Sequence, residues 1–314
     1  MKRTFLLASL AVLLTSFGCS QRSYESFSGY AQGGTYQVKA NLKGVSETHE
    51  AIAAAIDSLL ECIDFSISGY NHNSLLSQRN AGKEIVPDRY FTELLSLSEK
   101  YKELSDGAFD VFSGPLFDIW GFGFTTDSLP SDEAVKAAMA DCVSRKTLNF
   151  NAIAQGYSCD VIAEYLHSLG VKDMLVDIGE IYCEGFNPSG KGWTIGVDNP
   201  VDGNNTPGKD LKGIWHSDGT GCGIVTSGNY RKFYIKDGKK YAHTIDPRTG
   251  YPVQHNLLSA TVTAPSAAEA DALATACMVL GPDDARSLVA SLDGVEAYLI
   301  CSDGTWKSEG FNLE

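Results

Sequence analysis

The stretch Ser266–Gly281 constrains this chain most, because it reads as a helix of small and apolar residues that nevertheless carries a carboxylate. Ser266 and Glu269 form a capping box at its start, and Gly281-Pro282 marks its end. Around Asp271 stand Ala270, Ala272, Leu273, Ala274 and Ala276. A carboxylate in that setting costs free energy unless a cation or a donor meets it. Thr275 follows four residues later and shares the face of Asp271. Two hard oxygen ligands on one helical face suit Mg²⁺, which takes few protein ligands and completes its shell with water and substrate phosphate. The plainer reading of an Asp and a Thr at this spacing is a local hydrogen bond.

Upstream lies Thr226-Ser-Gly-Asn-Tyr-Arg231, leading into His243-Thr-Ile-Asp-Pro-Arg-Thr-Gly250. Polar, turn-rich segments of this kind grip substrates. Together the two patterns suggest a metal that clamps a phosphorylated ligand. His243 is the most suggestive of the six histidines, beside Thr244 and Asp246 in a run too polar for a core strand. A satisfied surface histidine explains it equally well.

The formal charge of −14 argues against nucleic acid, whose phosphates demand a basic footprint. It is also awkward for a protein that binds a phosphorylated ligand, and a divalent cation would resolve that conflict locally. The N-terminus reads as a targeting segment. Met1-Lys-Arg3 is basic, and the thirteen residues Phe5 to Phe17 are uncharged and mostly apolar. That is shorter than the ~20 residues of a membrane span and fits a secretory signal. It ends Thr15-Ser-Phe-Gly-Cys19, similar to a bacterial lipoprotein signal in which Cys19 is lipidated. The expected organisation is a signal peptide over 1–18, a polar tether over 19–28 and one catalytic unit over 29–314. Seven cysteines follow Cys19, none in a Cys-x-x-Cys pair, so free and mostly buried thiols are expected.

Periodicity predicts helices near 48–63, 89–104 (capped by Asp88), 132–140, 155–169 and around Asp271. Strand patterns cover 174–178, 193–197, 257–264 and 295–301. Two more, 231–236 and 239–245, flank Asp237-Gly238, a type I′ hairpin signal. Strands mixed with helices and hairpins indicate an α+β fold rather than a doubly wound sheet. Residues 198–213 read as a surface loop. Asp106-Gly-Ala-Phe-Asp110 follows a helix, and its turn could aim the Ala108 and Phe109 amides at a ligand. The aromatics Phe109, Phe112, Trp120 and Phe122 suit a core better than a cofactor box. Leu148-Asn-Phe-Asn-Ala-Ile-Ala-Gln-Gly156 opens a helix, whose N-terminal amides attract phosphate.

Five segments, in order, resemble the ApbE-type flavin transferases. They are Ser105-Asp-Gly-Ala-Phe-Asp110, Gly114-Pro-Leu through Trp120-Gly-Phe-Gly123, Ala152-Ile-Ala-Gln-Gly-Tyr157, His243-Thr-Ile-Asp-Pro-Arg-Thr-Gly250 and Glu269-Ala-Asp-Ala-Leu-Ala-Thr275. The resemblance implies a bacterial cell-envelope enzyme that binds FAD and Mg²⁺. It would transfer FMN through a phosphodiester bond to a Thr or Ser of an acceptor protein and release AMP. It implies a metal held by Asp271, Thr275 and the Ala152 carbonyl, with Tyr70 near the flavin or adenine. Gly33, Ala108, Phe109, Asp110, Asn149, Gln155 and Ile245 would line the nucleotide, and His243 would stand beside the reacting phosphate. The proton acceptor is left open between His243 and Asp246. Several positions depart from the family. Gly33 replaces a Met that usually contacts FAD, and Asn149 and Asn229 replace carboxylates. Gln155 stands where Lys or Glu is usual, and the Val176–Glu180 turn has one glycine where two are usual. Two other readings are an FAD pyrophosphatase giving FMN and AMP, and a non-catalytic flavin-binding lipoprotein.

Overall fold

The structure is a computed structural model that describes residues 23–121, 129–204, 206, 208–230, 233–236 and 239–314. The signal segment, Cys19, Phe122, Gly123, Arg231 and the Asp237-Gly238 turn lie outside the described residues. In chain order come β1 (Tyr24–Ala31), β2 (Gly34–Asn41), α1 (His49–Ile67), α2 (Leu75–Asn80), α3 (Arg89–Leu104), α4 (Gly114–Ile119) and α5 (Asp132–Val143). Then follow α6 (Ala154–Ser168), β3 (Met174–Asp177), β4 (Ile181–Glu184), β5 (Thr194–Asp198), β6 (Leu211–His216) and β7 (Cys222–Gly228). The remainder is β8 (Phe233–Lys236), β9 (Lys239–Ala242), β10 (Leu257–Ala264), α7 (Ala267–Leu280), α8 (Pro282–Ala290), β11 (Glu296–Cys301) and β12 (Gly304–Lys307).

Eight strands form one sheet in the order β1-β2-β3-β4-β7-β10-β11-β12, each neighbour antiparallel. The α+β expectation is met. Side chains alternate across the sheet, as the pleat requires. Val225, Ala297 and Leu299 lie on the face covered by α7 and α8, whereas Ile224, Tyr298 and Ile300 face Trp193, Trp215 and Phe311 around the β5–β6 ribbon. Val38, Ala40, Met174 and Val176 pack against Ile52, Ile56 and Leu60 of α1 and Ile162 and Leu166 of α6.

The polar stretch expected to be tether as far as residue 28 is strand from Tyr24 onward. Every residue from Tyr24 to Ala31 pairs with β2, and Phe27 is buried against the helices. Loop-like composition gave way to pairing with the following strand across a tight turn, from Ala31 with Gly34 out to Tyr24 with Asn41. Helix α7 lies centrally, packed on β7 and β10, and its alanines let it approach closely. Two glycines make that approach possible. A Cβ on Gly156 would stand 2.3 Å from the Ala267 carbonyl oxygen, and one on Gly223 would stand 2.3 Å from the Ala267 Cα.

Candidate active site

Helices α6 and α7 cap each other. The Asp160 carboxylate of α6 accepts from the Ala267 and Ala268 amides at 2.7 and 2.8 Å, satisfying the first turn of α7. In return, Asp271 of α7 accepts from the Gly156 amide in the first turn of α6, with Oδ2 at 3.1 Å. Amides of a helix's first turn have no carbonyl partner within the helix, so Asp271 caps α6. Ser266 completes the α7 cap by accepting from the Glu269 amide at 3.1 Å.

Asp271 is 5% exposed. Burial pushes its carboxyl up to about 7, opposed by the Gly156 hydrogen bond and assisted by the negative charge of Asp160. Burial likewise raises Asp160 to about 6, and the amide bonds resist that rise. Asp271 therefore carries an incompletely compensated charge at neutral pH. Thr275 is half-buried one turn along, and its Oγ1 lies 3.5 Å from Ser227 Oγ on β7. One carboxylate and two hydroxyls thus lie where α6, α7 and β7 meet. Among the described residues no three His, Cys, Asp or Glu side chains gather as a metal cage. A cation here would be held by one carboxylate and neutral oxygens. Ser227 was not singled out by the sequence, although the period-two alternation of β7 could have placed it on the face toward α7.

A cleft of about 1130 Å³ is lined by Ala154 and Gln155, the two residues that precede Gly156 in α6. Gly33, Tyr70, Asn151 and Gln155 line it, and Asp57, Glu61 and Asp64 form its α1 wall. The structure thus brings together three of the expected nucleotide residues, Gly33, Tyr70 and Gln155. Tyr70 is 66% exposed and accepts from Asn151 Nδ2 at 3.3 Å, so its ring is available to a ligand face. Gln155 donates to the Ile178 carbonyl at 2.9 Å and braces the turn at Gly179. Asn149 links two loops, with its amide on the Val111 carbonyl and its Oδ1 accepting from Asn151 N.

Other expected contacts are redirected. The Ala108 and Phe109 amides are consumed locally, by the Ser105 carbonyl and hydroxyl, so they do not point at a ligand. Both side chains are 1% exposed, and Phe109, like Phe112 and Trp120, is core. Asp110 pairs with Lys102 at 2.7 Å and accepts from the Phe112 amide. Ile245 is 1% exposed and packs with Leu116, Trp120 and Val135, leaving only its backbone for a ligand. Asp246 is gripped by Arg248 through Nε and Nη2, both at 2.9 Å. Such a two-pronged ion pair occupies both carboxylate oxygens and makes Asp246 a poor proton acceptor. His243 follows β9 and is half-buried. Its neighbour Thr244 hydrogen-bonds Asn229, two residues beyond Ser227, which ties this histidine loop to the end of β7. The expected free thiols are present: all seven described cysteines are unbridged.

Residues 33–299 match the ApbE family along most of the chain. This chain belongs to the ApbE family. The FAD:protein FMN transferase of Haemophilus influenzae is 31% identical over 324 residues, spanning 94% of this chain and 91% of that protein. The one from Vibrio cholerae is 32% identical over 301 residues, spanning 88% of each. Among solved structures, the flavinyl transferase ApbE of Pseudomonas stutzeri in its apo form superposes with a TM-score of 0.81 at 32% identity, covering 92% of this chain and 96% of that one. The flavin transferase ApbE of Vibrio cholerae gives 0.78 at 28% identity, covering 92% and 98%. The ApbE relationship therefore takes in both the helix pair and the cleft.

Proposed function

We propose that this protein is an FAD:protein FMN transferase. It takes FAD as substrate and moves FMN onto a Thr or Ser hydroxyl of an acceptor protein, with AMP as the leaving group. The observation that carries the reading is Asp271, a buried carboxylate with one amide donor, bonded to Gly156 of the helix whose first residues, Ala154 and Gln155, line a cleft of about 1130 Å³. The residues fit Mg²⁺: Asp271, Thr275 and the Ala152 carbonyl are hard oxygens, and Ser227 adds a hydroxyl in reach of the same point. When bound, the ion would neutralise charge on the diphosphate and stabilise the departing phosphate.

The remaining work falls to the chain itself. Tyr70 offers an exposed ring to a flat ligand face, and Gly33 leaves open the space beside it. Phosphoryl transfer requires mostly positioning and charge neutralisation. The acceptor oxygen forms a bond to the FMN phosphorus as the bond to the bridging oxygen breaks and AMP departs. His243 is the better proton acceptor for that hydroxyl, because Asp246 is engaged by Arg248. The N-terminal pattern supports export and lipid anchoring through Cys19 in the bacterial envelope, with the active site facing away from the cytoplasm.

Purified protein given FAD, Mg²⁺ and an acceptor is expected to yield acceptor heavier by one FMN and an equal amount of AMP. AMP formed at the same rate without acceptor would instead establish the pyrophosphatase. FAD bound with no AMP under any divalent metal would establish a flavin-binding protein.

A further inference from the structure

Cys183 and Cys222 stand opposite each other across the antiparallel strands β4 and β7. Directly paired residues in such a ladder have Cα atoms about 4.5–5.5 Å apart and side chains on one face. That separation lies within the ~4.4–6.8 Å span of a disulfide. The face is the one covered by the β5–β6 ribbon: Cys183 and Ile224 pack with Trp193, Trp215 and Tyr298, and Cys222 borders the same cluster. Between them Gly223 turns the other way, against α7. Cys183 is fully enclosed, whereas Cys222 is half-buried and open to a reagent.

We propose that Cys183 and Cys222 form a redox modification site, closed into a cross-strand disulfide by exchange with a disulfide-bearing oxidant. The Cys222 thiolate attacks one sulfur of the oxidant, whose other sulfur leaves as a thiolate. The Cys183 thiol then loses its proton and attacks Cys222, releasing the second oxidant thiol. Two protein thiols are oxidised and one oxidant disulfide is reduced. The order of attack follows exposure, and the Cys183 thiol donates to Cys222, which pulls Cys222 below the usual thiol range and pushes Cys183 well above it. Elsewhere burial pushes Cys142 up to about 11 and Cys277 up to about 12, which suppresses attack at those positions. The bond would pin the start of β7, the strand that packs on the first turn of α7 through Gly223 and reaches Thr275 through Ser227. The site is independent of the flavin reading, and either could fail alone.

The test equilibrates the full chain in glutathione buffers from reducing to oxidising. Samples are quenched in acid, alkylated with N-ethylmaleimide under denaturing conditions and digested with trypsin. The expected product joins residues 173–191 to 213–231 through Cys183 and Cys222, with the other described cysteines alkylated. Its thermal midpoint should exceed that of the reduced chain by several degrees, because a long loop is closed. Alkylation of both cysteines in the most oxidising buffer would overturn the proposal. Cys183→Ser, a near-isosteric change, is expected to trap glutathione on Cys222. A folded Cys183→Ser chain with no adduct there would overturn the order of attack. Should that variant not fold, the joined peptide in the wild-type chain decides.

Discussion

Burial makes the charge of Asp271 costly, and in the proposed site a cation would offset that cost. In the metal-free protein its folded pKa lies near 7, above the usual carboxylate value. The stability tied to its neutral form is thus fully present at low pH and is lost as pH rises through about 7. A cation that binds only the ionised form reverses that loss, so added Mg²⁺ should raise the thermal midpoint more at pH 8 than at pH 6. Asp271→Asn should flatten that pH dependence and abolish metal-dependent turnover while keeping the fold, as circular dichroism and AMP release would report. Equal stabilisation by Mg²⁺ at both pH values would remove Asp271 from the metal site. His243→Ala should slow flavin transfer by about 10²–10⁴-fold, the range for a general base, and change FAD affinity far less. Equal losses in both would assign His243 to positioning. Asp271 and Thr275 were legible in the sequence because helical spacing is local. Ser227 was not, because its place beside Thr275 depends on a strand forty-eight residues away in the chain. Ala108 and Phe109 misled for the complementary reason: their amides find Ser105 within the loop, a pairing that composition does not reveal.

The reciprocal capping of α6 and α7 couples two helix ends to one another and to the site. Asp160→Ala would leave the Ala267 and Ala268 amides unpaired in a buried place. Each such donor costs about 1–3 kcal/mol, so a loss on the order of 3 kcal/mol is expected in urea unfolding. Asp160→Asn keeps one acceptor and should lose roughly half as much. Asp160→Asn unchanged in both stability and Mg²⁺ affinity would show that the cap contributes nothing to α7. Gly156→Ala drives a methyl into the Ala267 carbonyl and the Asp271 side chain, at 2.3 and 2.8 Å. It should cost about 1–3 kcal/mol as overpacking and weaken the metal site by shifting Asp271. Two helices were legible through their caps, Asp88 and Ser266, and α1, α5 and α6 through periodicity; Thr48 and Ser131 also cap α1 and α5. Gly281-Pro282 read as an end and is also a beginning, since Gly281 closes α7 and precedes α8 with Pro282 in its first turn. β1 and β7 were not legible as strands because Glu, Ser and Gly interrupt the aromatics of β1, and Gly, Thr and Ser interrupt the apolar residues of β7. Their extended form comes from neighbouring strands rather than from propensity.

An acidic molecule that takes a dinucleotide must overcome repulsion before contact. The formal charge is −14, and the α1 wall of the cleft presents Asp57, Glu61 and Asp64. Two of these are held by neutral donors only: Tyr36 Oη reaches Asp57 at 2.5 Å and Asn71 Nδ2 reaches Asp64 at 2.7 Å. These hydrogen bonds bring no positive charge to the wall that an approaching diphosphate meets. Salt shortens the reach of that field, from roughly 30 Å at 0.01 M to about 8 Å at 0.15 M. For metal-free protein, FAD association should therefore speed up several-fold across that range, opposite to the slowing expected of a basic site. With Mg²⁺ present, both the substrate and Asp271 carry less net charge, and the dependence should shrink. Stopped-flow quenching of flavin fluorescence reads both rates directly. Association that slows with salt in the absence of metal would mean that cationic residues steer FAD. Charge relief at Asp271 would then no longer be needed to reconcile this molecule with its substrate.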